Sequence, residues 1–162
     1  MKIGVFYGSN TGNTSEVAQM VAKELNTDAK DIAVASAKDL KECDVLVLGT
    51  STWGQGELQD DWDAFLPNFD KIELDSKTVA IFGLGDQEMY DEEFANSLSV
   101  LDEAVSSAKR RIGLWSTDGY EFTSSKSVKN GKFVGLVIDA DNQGDLTEER
   151  VKSWVKQIKS EM

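Results

Sequence analysis

The first fifteen residues constrain the fold more than any other stretch of the chain. An apolar run at residues 3–7 (IGVFY) leads directly into a loop of glycines and small polar residues at 8–14 (GSNTGNT), and an amphipathic helical pattern starts near Ser15. This order predicts a buried strand, a tight turn and a helix N-terminus. The glycines allow the backbone to bend so that several N–H groups point inward, and the first helical turn adds unpaired amides with partial positive charge. The stretch therefore predicts an anion-binding loop that suits a phosphorylated ligand.

The spacing of the glycines excludes two common phosphate-binding motifs. A nucleoside-triphosphate loop needs glycines five residues apart followed by lysine, but Gly8 and Gly12 are four apart and Asn13 follows. The dinucleotide fingerprint G-x-G-x-x-G is also missing. Two interpretations remain: a neutral cradle of amides and polar side chains around a terminal monophosphate, or an ordinary strand-to-helix connection, in which the same residue types are common.

Strand and helix signals alternate along the rest of the chain. Apolar runs predict strands, and apolar residues at spacings of three and four predict helices. The strand signals lie at 32–34, 44–49, 78–83, 111–115 and 133–139, and the helix signals at 15–26, 60–69, 92–108 and from Thr147, the expected cap, to the C-terminus. This alternation predicts one α/β domain, residues 1–162, with a doubly wound parallel sheet and helices on both faces.

Three loops follow strong strand signals and should meet where ligands bind in such sheets, beyond the carboxyl ends of the strands. They are residues 8–14, 50–58 and 83–90. The second carries Trp53 and the third carries Tyr90, so a flat aromatic ligand could stack between two rings. Each aromatic alone could equally cover the edge of the core.

Composition excludes several kinds of chemistry. The chain has no histidine and one cysteine, Cys43, which excludes histidine-containing catalytic triads, histidine metal sites, thiolate zinc sites and an internal disulfide. We therefore expect a bound cofactor to carry any chemistry. The lone cysteine and the lack of a signal peptide or long apolar segment predict a cytoplasmic protein with no membrane partner.

Charge is the last compositional constraint. The net charge is −12, from 29 acidic and 17 basic residues. Residues 57–103 hold fourteen carboxylates, opposed only by Lys71 and Lys77. A negative face of this kind disfavours nucleic acid and attracts basic protein surfaces, although it could also serve only solubility.

Four loops together carry a family resemblance that spans essentially the whole chain. They are 8–14, the run from Thr52-Trp53-Gly54-Gln55-Gly56 to Asp61-Trp62, Gly85-Asp86-Gln87 with Tyr90, and Thr117-Asp118-Gly119-Tyr120, followed by Asp141-Asn142-Gln143 and a terminal helix. The chain resembles the long-chain flavodoxins, small electron carriers that bind FMN. The resemblance implies a five-stranded parallel sheet of order 2-1-3-4-5, with the fifth strand split by an insertion at about 119–131.

The resemblance also implies a role for each matching position. Ser9, Asn10, Thr11, Gly12, Asn13 and Thr14 would hold the FMN phosphate, and Trp53 and Tyr90 would sandwich the isoalloxazine ring. Asp141 would lie near the ribityl chain. The polar edge of the ring would meet Thr50, Ser51, Thr52, Gly54, Gln55, Gly56, Gly83, Leu84, Gly85 and Asp86. Many relatives have Asn after the tryptophan, where this chain has Gly54.

The implied function is that of a low-potential one-electron carrier rather than an enzyme, cycling between the FMN semiquinone and hydroquinone. A Gly54–Gln55 peptide that turns its carbonyl toward flavin N5 would stabilise the semiquinone, because glycine tolerates positive φ. Nearby carboxylates would oppose the hydroquinone anion. The expected partners are redox proteins with basic surfaces, a flavodoxin reductase or other donor and low-potential acceptor enzymes, and the expected state is a monomer.

Two other functions share the predicted fold. An FMN-dependent reductase would need its own substrate pocket and would oxidise NAD(P)H directly. A phospho-receiver domain would need an acidic pair after the first strand, where Tyr7 and Gly8 stand.

Overall fold

The computed structural model describes residues 1–10, 12–53 and 56–162, with only the backbone of Trp53. The strands are β1 (Ile3–Tyr7), β2 (Ala29–Asp31), β3 (Val45–Trp53), β4 (Glu57–Leu58), β5 (Thr78–Leu84), β6 (Arg110–Ile112), β7 (Trp115–Ser116), β8 (Val128–Lys129), β9 (Lys132–Phe133) and β10 (Leu136–Ile138). The α-helices are α1 (Asn13–Glu24), α2 (Ala37–Lys41), α3 (Asp60–Phe65), α4 (Ser97–Ala104) and α5 (Thr147–Glu161). Short 3-10 helices cover Leu66–Lys71, Leu74–Ser76 and Gly144–Leu146.

The main sheet has the predicted topology. Its strands run in the order β10-β5-β3-β1-β2, and β6 also pairs with β5. These pairings are all parallel, while β4 pairs antiparallel with the end of β3. Because β6 and β10 pair with the first and second halves of β5, they are two pieces of one fifth strand, and the order 2-1-3-4-5 is confirmed.

Helices cover both faces of this sheet, as predicted. One apolar cluster joins the sheet to α3 and α4, with Trp62 and Leu98 fully buried, and the other joins it to α1 and α5, with Val21 and Trp154 fully buried. A strand covered on both sides should be apolar throughout, and all of β5 after Thr78 is buried.

The insertion that splits the fifth strand is an antiparallel sheet of its own, in the order β7-β9-β8. It lies between β6 and β10 and therefore extends beyond the predicted 119–131. The strand signal at 133–139 is broken at Gly135, where a Cβ would lie 2.0 Å from the carbonyl oxygen of Ile81. The backbones of Gly135 and Ile81 approach so closely there that only glycine, which has no Cβ, fits.

The second strand was predicted at 32–34 and lies at 29–31 instead. Asp31 accepts hydrogen bonds from Ala33 N through its side chain (2.9 Å) and from Val34 N through its carbonyl (3.2 Å). This local turn ends the strand, because Asp31 takes the N–H groups of Ala33 and Val34 and these groups can then no longer bond to a neighbouring strand. Val34 is consequently exposed.

The helix predicted at 92–108 is shorter, because α4 begins at Ser97 and ends at Ala104. Part of the preceding backbone bonds to the insertion and not to the next α-helical turn: Asp91 O accepts from Thr123 N and Ser124 N, and Phe94 N donates to Ser124 O. The apolar spacing that predicted a longer helix reflects burial of Phe94, not helical geometry.

Two further boundaries differ from the prediction. Thr147 is the first helical residue of α5 and does not cap it, since the cap position is Leu146 and has no side-chain hydrogen bond. The helix predicted at 60–69 is divided into α3 and the 3-10 turn that contains Pro67. Among the described residues, no helix combines the length and apolar character needed to cross a bilayer.

Candidate cofactor-binding site

A cavity of about 460 Å³ opens beyond the carboxyl ends of β3, β5 and β10. This volume lies in the range of roughly 300–1,000 Å³ that is typical of small-molecule sites. The predicted site residues that line it are Asn13, Thr14, Ser51, Thr52, Leu84, Gly85, Asp86, Tyr90 and Asp141. The fold therefore brings the three predicted loops and the loop after the last strand to one place.

The 8–14 loop turns directly into α1. Gly12 occupies the cap position with φ 94° and makes no side-chain cap, and Gly12 N donates to Ser9 Oγ at 3.0 Å. The first helical N–H groups have no partner within a helix, so Asn13 and Thr14 present amides at the cavity edge. Thr11 lies outside the described residues.

Gln59, which the sequence analysis missed, is hydrogen-bonded to Asn10 of the 8–14 loop. Its Nε2 donates to Asn10 Oδ1 at 2.7 Å, and its Oε1 accepts from the N–H groups of Asp61 and Trp62 at 3.0 and 3.2 Å. The side chain is fully buried and so joins the loop to the N-terminus of α3. A glutamine directly before an aspartate-rich helix could be predicted to cap that helix. Nothing near Gln59 in the sequence indicates its contact with Asn10.

The end of β3 supplies a run of hydroxyl groups. Thr50 is buried and its Oγ1 donates to Ser51 O at 3.1 Å, while Thr52 Oγ1 and Ser97 Oγ are 2.7 Å apart. Ser97 Oγ also donates to Ser51 O at 3.0 Å. Ser51 Oγ differs, because it is buried and has no hydrogen-bond partner in the described part of the chain.

The loop after β3 is described only in part. The Trp53 side chain, Gly54 and Gln55 lie outside the described residues. Gly56 has φ 103°, and a Cβ there would lie 2.5 Å from that of Asn96. Both the positive φ and the close approach require glycine at this position.

The end of β5 forms the opposite wall. Gly83 and Leu84 are buried in the strand, and a Cβ at Gly85 would lie 3.0 Å from Ala95 N. The chain then turns at Asp86, whose carbonyl accepts from Tyr90 N at 3.1 Å. Tyr90 lines the cavity with 38% of its surface exposed.

Asp86 also belongs to a hydrogen-bond network that ties this turn to the loop after β10. Asn142 Nδ2 donates to Asp86 Oδ1 (2.7 Å) and to both carboxylate oxygens of Asp139, and Asp139 Oδ2 accepts from Gln87 N (3.0 Å) and Gln87 Nε2 (2.7 Å). Burial tends to raise the pKa of Asp86, but the bonds from Met89 N, Asn142 and Glu88 N outweigh it and hold the pKa below its usual range.

Comparison with known proteins supports the resemblance. The family model described as Flavodoxin matches residues 5–154. A flavodoxin from Nostoc sp. is 45% identical over 99% of this chain and 96% of its own length, and flavodoxin 1 from Escherichia coli is 46% identical over 98% and 93%. The chain belongs to the flavodoxin family.

Solved flavodoxin structures share the fold in detail. The Fusobacterium nucleatum flavodoxin, whose structure was solved bound to flavin mononucleotide, is 30% identical with a TM-score of 0.93, over 100% of this chain and 99% of that one. Flavodoxin 1 from Bacillus cereus, at 23% identity and a TM-score of 0.71, shares the overall fold.

The cavity of this flavodoxin has lining residues that sequence reasoning missed: Met89, Glu93, Ala95 and Ala140. Glu93 and Ala95 lie in the stretch that was predicted as helix, and the apolar spacing there gave no indication that these residues line a cavity. Asp86, Glu93 and Asp141 give the lining a negative charge, and the described lining contains no lysine or arginine. The lowered pKa of Asp86 keeps this charge in place under acidic conditions as well.

Proposed function

We propose that this flavodoxin binds FMN in the cavity between the 8–14 loop and residues 85–97, and carries single electrons between the semiquinone and hydroquinone levels to basic redox proteins. Members of the flavodoxin family are electron-transfer proteins rather than enzymes, and the FMN-bound relative from Fusobacterium nucleatum has nearly the same fold. When bound, FMN would supply the redox chemistry. The protein's residues bind it, exclude water and set the electrostatic field.

Ser51 Oγ is the observation that carries the cofactor assignment. A buried hydroxyl without a partner costs about 1–3 kcal/mol, and among the described residues Ser51 alone has such an atom. The atom belongs to a residue that lines the cavity beside Thr52 and Asp86. A polar ligand in the cavity would satisfy it, so the lining fits a molecule with hydrogen-bonding groups at this point.

The 8–14 loop suits the phosphate end of the cofactor. Ser9, Asn10, Thr11, Gly12, Asn13 and Thr14 offer hydroxyl, amide and backbone donors but no cation. The uncapped amides of α1 favour an anion. A neutral cradle binds a terminal monophosphate without the lysine that triphosphate sites use.

The aromatic end of the cavity suits the flavin ring. Tyr90 already lines it, and Trp53 ends the neighbouring strand. We place the ring between these two side chains, with Thr50, Ser51, Thr52, Gly83, Leu84 and Gly85 along its polar edge and Asp141 near the ribityl chain. The Gly54–Gln55 peptide would bond the protonated N5, and Gly54→Val should lower the yield of the one-electron state.

The acidic lining should make the second reduction harder than the first. Asp86, Glu93 and Asp141 repel the negative charge that the second electron adds, and exclusion of water by Tyr90 strengthens that repulsion. The reduction potential for the second electron should therefore be low.

The acidic half of the chain suits partners of opposite charge. Of the two lysines in residues 57–103, Lys77 is buried and donates to the carbonyls of Lys41 and Cys43, which leaves Lys71 as the exposed lysine of this stretch. Of its fourteen carboxylates, Glu73 pairs with Lys41 and Asp102 pairs with Arg111 and Lys129, so twelve have no ion pair among the described residues. Transfer from a reductase should therefore slow as salt rises, because exposed charges are screened beyond about 8 Å at physiological ionic strength. We expect the carrier to act as a cytoplasmic monomer.

Stepwise anaerobic reduction followed by visible absorbance tests the proposal. We expect a yellow protein that turns blue before it bleaches, which reports bound FMN and a stabilised neutral one-electron state. Direct bleaching together with oxidation of NAD(P)H by the isolated protein would favour a reductase. A colourless protein that does not take up added FMN would refute the cofactor.

A further inference from the structure

A second cavity, of about 340 Å³, lies between α4 and the insertion. Its charged lining consists of Arg111, Lys129, Lys132 and Asp102, and its other lining residues are Ser106, Asn130, Leu114 and Val134. The cavity is remote from the proposed FMN site. Arg111 pairs with Val79 near the start of β5, whereas the FMN cavity begins at Leu84, five residues or roughly 17 Å farther along the strand.

This cavity concentrates positive charge on an acidic protein. Residues 109–132 contain six lysines and arginines and only two carboxylates, although the whole chain has a net charge of −12. Because charges farther than about 8 Å are screened at physiological ionic strength, an anion at this cavity experiences mainly the nearby cations. The acidic remainder of the molecule does not prevent anion binding here.

The two lysines are held next to each other by a tight hairpin. Asn130 and Gly131, with φ 54° and 81°, form the two-residue turn between β8 and β9, and Asn-Gly is the preferred pair for such a turn. Lys129 and Lys132 are consequently direct partners across the ladder. Like charges at directly opposite positions are destabilising.

One carboxylate compensates only part of this charge. Asp102 Oδ2 accepts from Lys129 Nζ at 2.8 Å, and Asp102 Oδ1 accepts from Arg111 Nη1. Asp102 is thus engaged on both oxygens, while Lys132 has no ion pair in the described part of the chain. Three cations against one carboxylate leave an excess of two positive charges.

We propose that this cavity binds a tetrahedral oxyanion with two negative charges, a phosphate or a phosphate monoester. The dianion would bridge Lys129 and Lys132 across the hairpin and accept from the two guanidinium N–H groups of Arg111 that are not bonded to Val79 O, Asp102 or Val134 O. The Ser106 hydroxyl would be a further donor. Leu114 and Val134 provide apolar surface for the organic part of an ester. The occupied site would join α4 to the insertion.

Residue-resolved NMR of the purified protein at constant ionic strength tests the proposal. Inorganic phosphate replacing chloride should give saturable amide shifts at Ser106, Asn130 and Lys132. The double variant Lys129→Met/Lys132→Met should bind at least about tenfold more weakly, because charge-assisted hydrogen bonds dominate such sites. Glycerol 3-phosphate in a parallel titration distinguishes the sources: tighter binding assigns an ester, and equal binding assigns free phosphate.

The double variant Lys23→Met/Lys156→Met is the matched control, because it changes the net charge equally at exposed lysines on α1 and α5. If the first double variant fails to fold, Lys132→Met alone serves, since Lys132 makes no ion pair among the described residues. Shifts that rise linearly, match those in chloride, or are equal in both double variants would overturn the proposal. Shifts confined to residues 9–14 would also overturn it, and they would leave the proposed FMN site intact.

Discussion

The 8–14 loop and residues 85–97 line the same cavity but are held in place by different means. The loop is fixed by its neighbours, through Ser9 Oγ to Gly12 N and the start of α1, and by one distant side chain, Gln59, which bonds Asn10. Residues 85–97 depend on distant parts of the chain: Ser124 Oγ donates to Glu92 O and Ser127 Oγ donates to Ala95 O, each at 2.6 Å. One wall of the site is thus built mostly by local sequence with a single long-range side-chain bond, and the other by many tertiary contacts with the insertion and the loop after β10.

This difference explains what the insertion does for the site. Phe94 packs against Phe122, Tyr120 and Phe133 of the insertion, with ring centroids 5.1, 6.0 and 6.0 Å away. The Asn96 side chain accepts from Lys126 N at 2.8 Å and also lies against Gly56. The insertion is therefore part of the support of residues 85–97.

The replacement Asp139→Ala should have the largest effect and should act on residues 85–97. It leaves the buried N and Nε2 of Gln87 without an acceptor, which should cost about 4 kcal/mol of unfolding free energy at 1–3 kcal/mol per group. Denaturant unfolding measures this, and FMN affinity should fall in parallel. Asp139→Asn keeps an acceptor for Gln87 but turns its NH2 toward the N and Nδ2 donors of Asn142, so it should lose less stability than Asp139→Ala without being neutral. Equal losses would contradict the role given to this network.

The replacement Gln59→Ala should act on the 8–14 loop and cost about 3 kcal/mol, because it unpairs two N–H groups of α3. Asn10 Oδ1 also loses its partner, but Asn10 is exposed and water can replace the bond. Gln59→Glu separates the two roles. A carboxylate still accepts from Asp61 N and Trp62 N but can no longer donate to Asn10 Oδ1 and Asp61 Oδ2, so stability should be partly retained while FMN affinity falls. Unchanged affinity in Gln59→Glu would show that the contact with Asn10 does not shape the loop.

Tyr120 provides a pH test of the contact between the insertion and residues 85–97. Burial raises the pKa of Tyr120 to about 12, above the value of about 10 in an unfolded chain. Between these two values the unfolded state has lost the proton and the native state keeps it, so stability falls by about 1.4 kcal/mol per pH unit. From pH 9 to pH 11 the protein should lose about 1 kcal/mol more than Tyr120→Phe. Parallel losses in the two proteins would mean that Tyr120 is not buried in solution.

The replacement Ser51→Ala should have the smallest effect on stability, and the direction in which it changes the unfolding free energy and the FMN affinity is the most informative result. Because Ser51 Oγ has no partner among the described residues, its removal should raise the unfolding free energy of the FMN-free protein by about 1 kcal/mol, the low end of the cost of an unpaired hydroxyl. FMN affinity should fall about fivefold if the hydroxyl bonds the cofactor, which is about 1 kcal/mol. Ser97→Ala is the control, since it removes bonds to Ser51 O and Thr52 Oγ1 and should lower stability. Unchanged FMN affinity in Ser51→Ala would remove the main support for the cofactor assignment.

The difference between local and long-range contacts also explains which features could be predicted from the sequence. The alternation of strands and helices and the 8–14 loop follow from apolar runs and glycine spacing, because these depend on residues close together in the chain. The strand order, which joins distant segments, came only from the resemblance. The true start of α4, and Glu93 and Ala95 as lining residues, could not be predicted, because Thr123 and Ser124 divert the preceding backbone from a helix. Gln59 and Asp139 were missed for the same reason, since their partners are distant in sequence.

Hydrogen–deuterium exchange of the FMN-free protein, before and after saturation with FMN, tests the central claim most directly. If FMN fills the cavity, amides in residues 9–16 and in residues 85–97 should both exchange more slowly after saturation, while peptides covering 102–111 should not change. Protection of only one wall, or of neither, would contradict the placement of the cofactor between them.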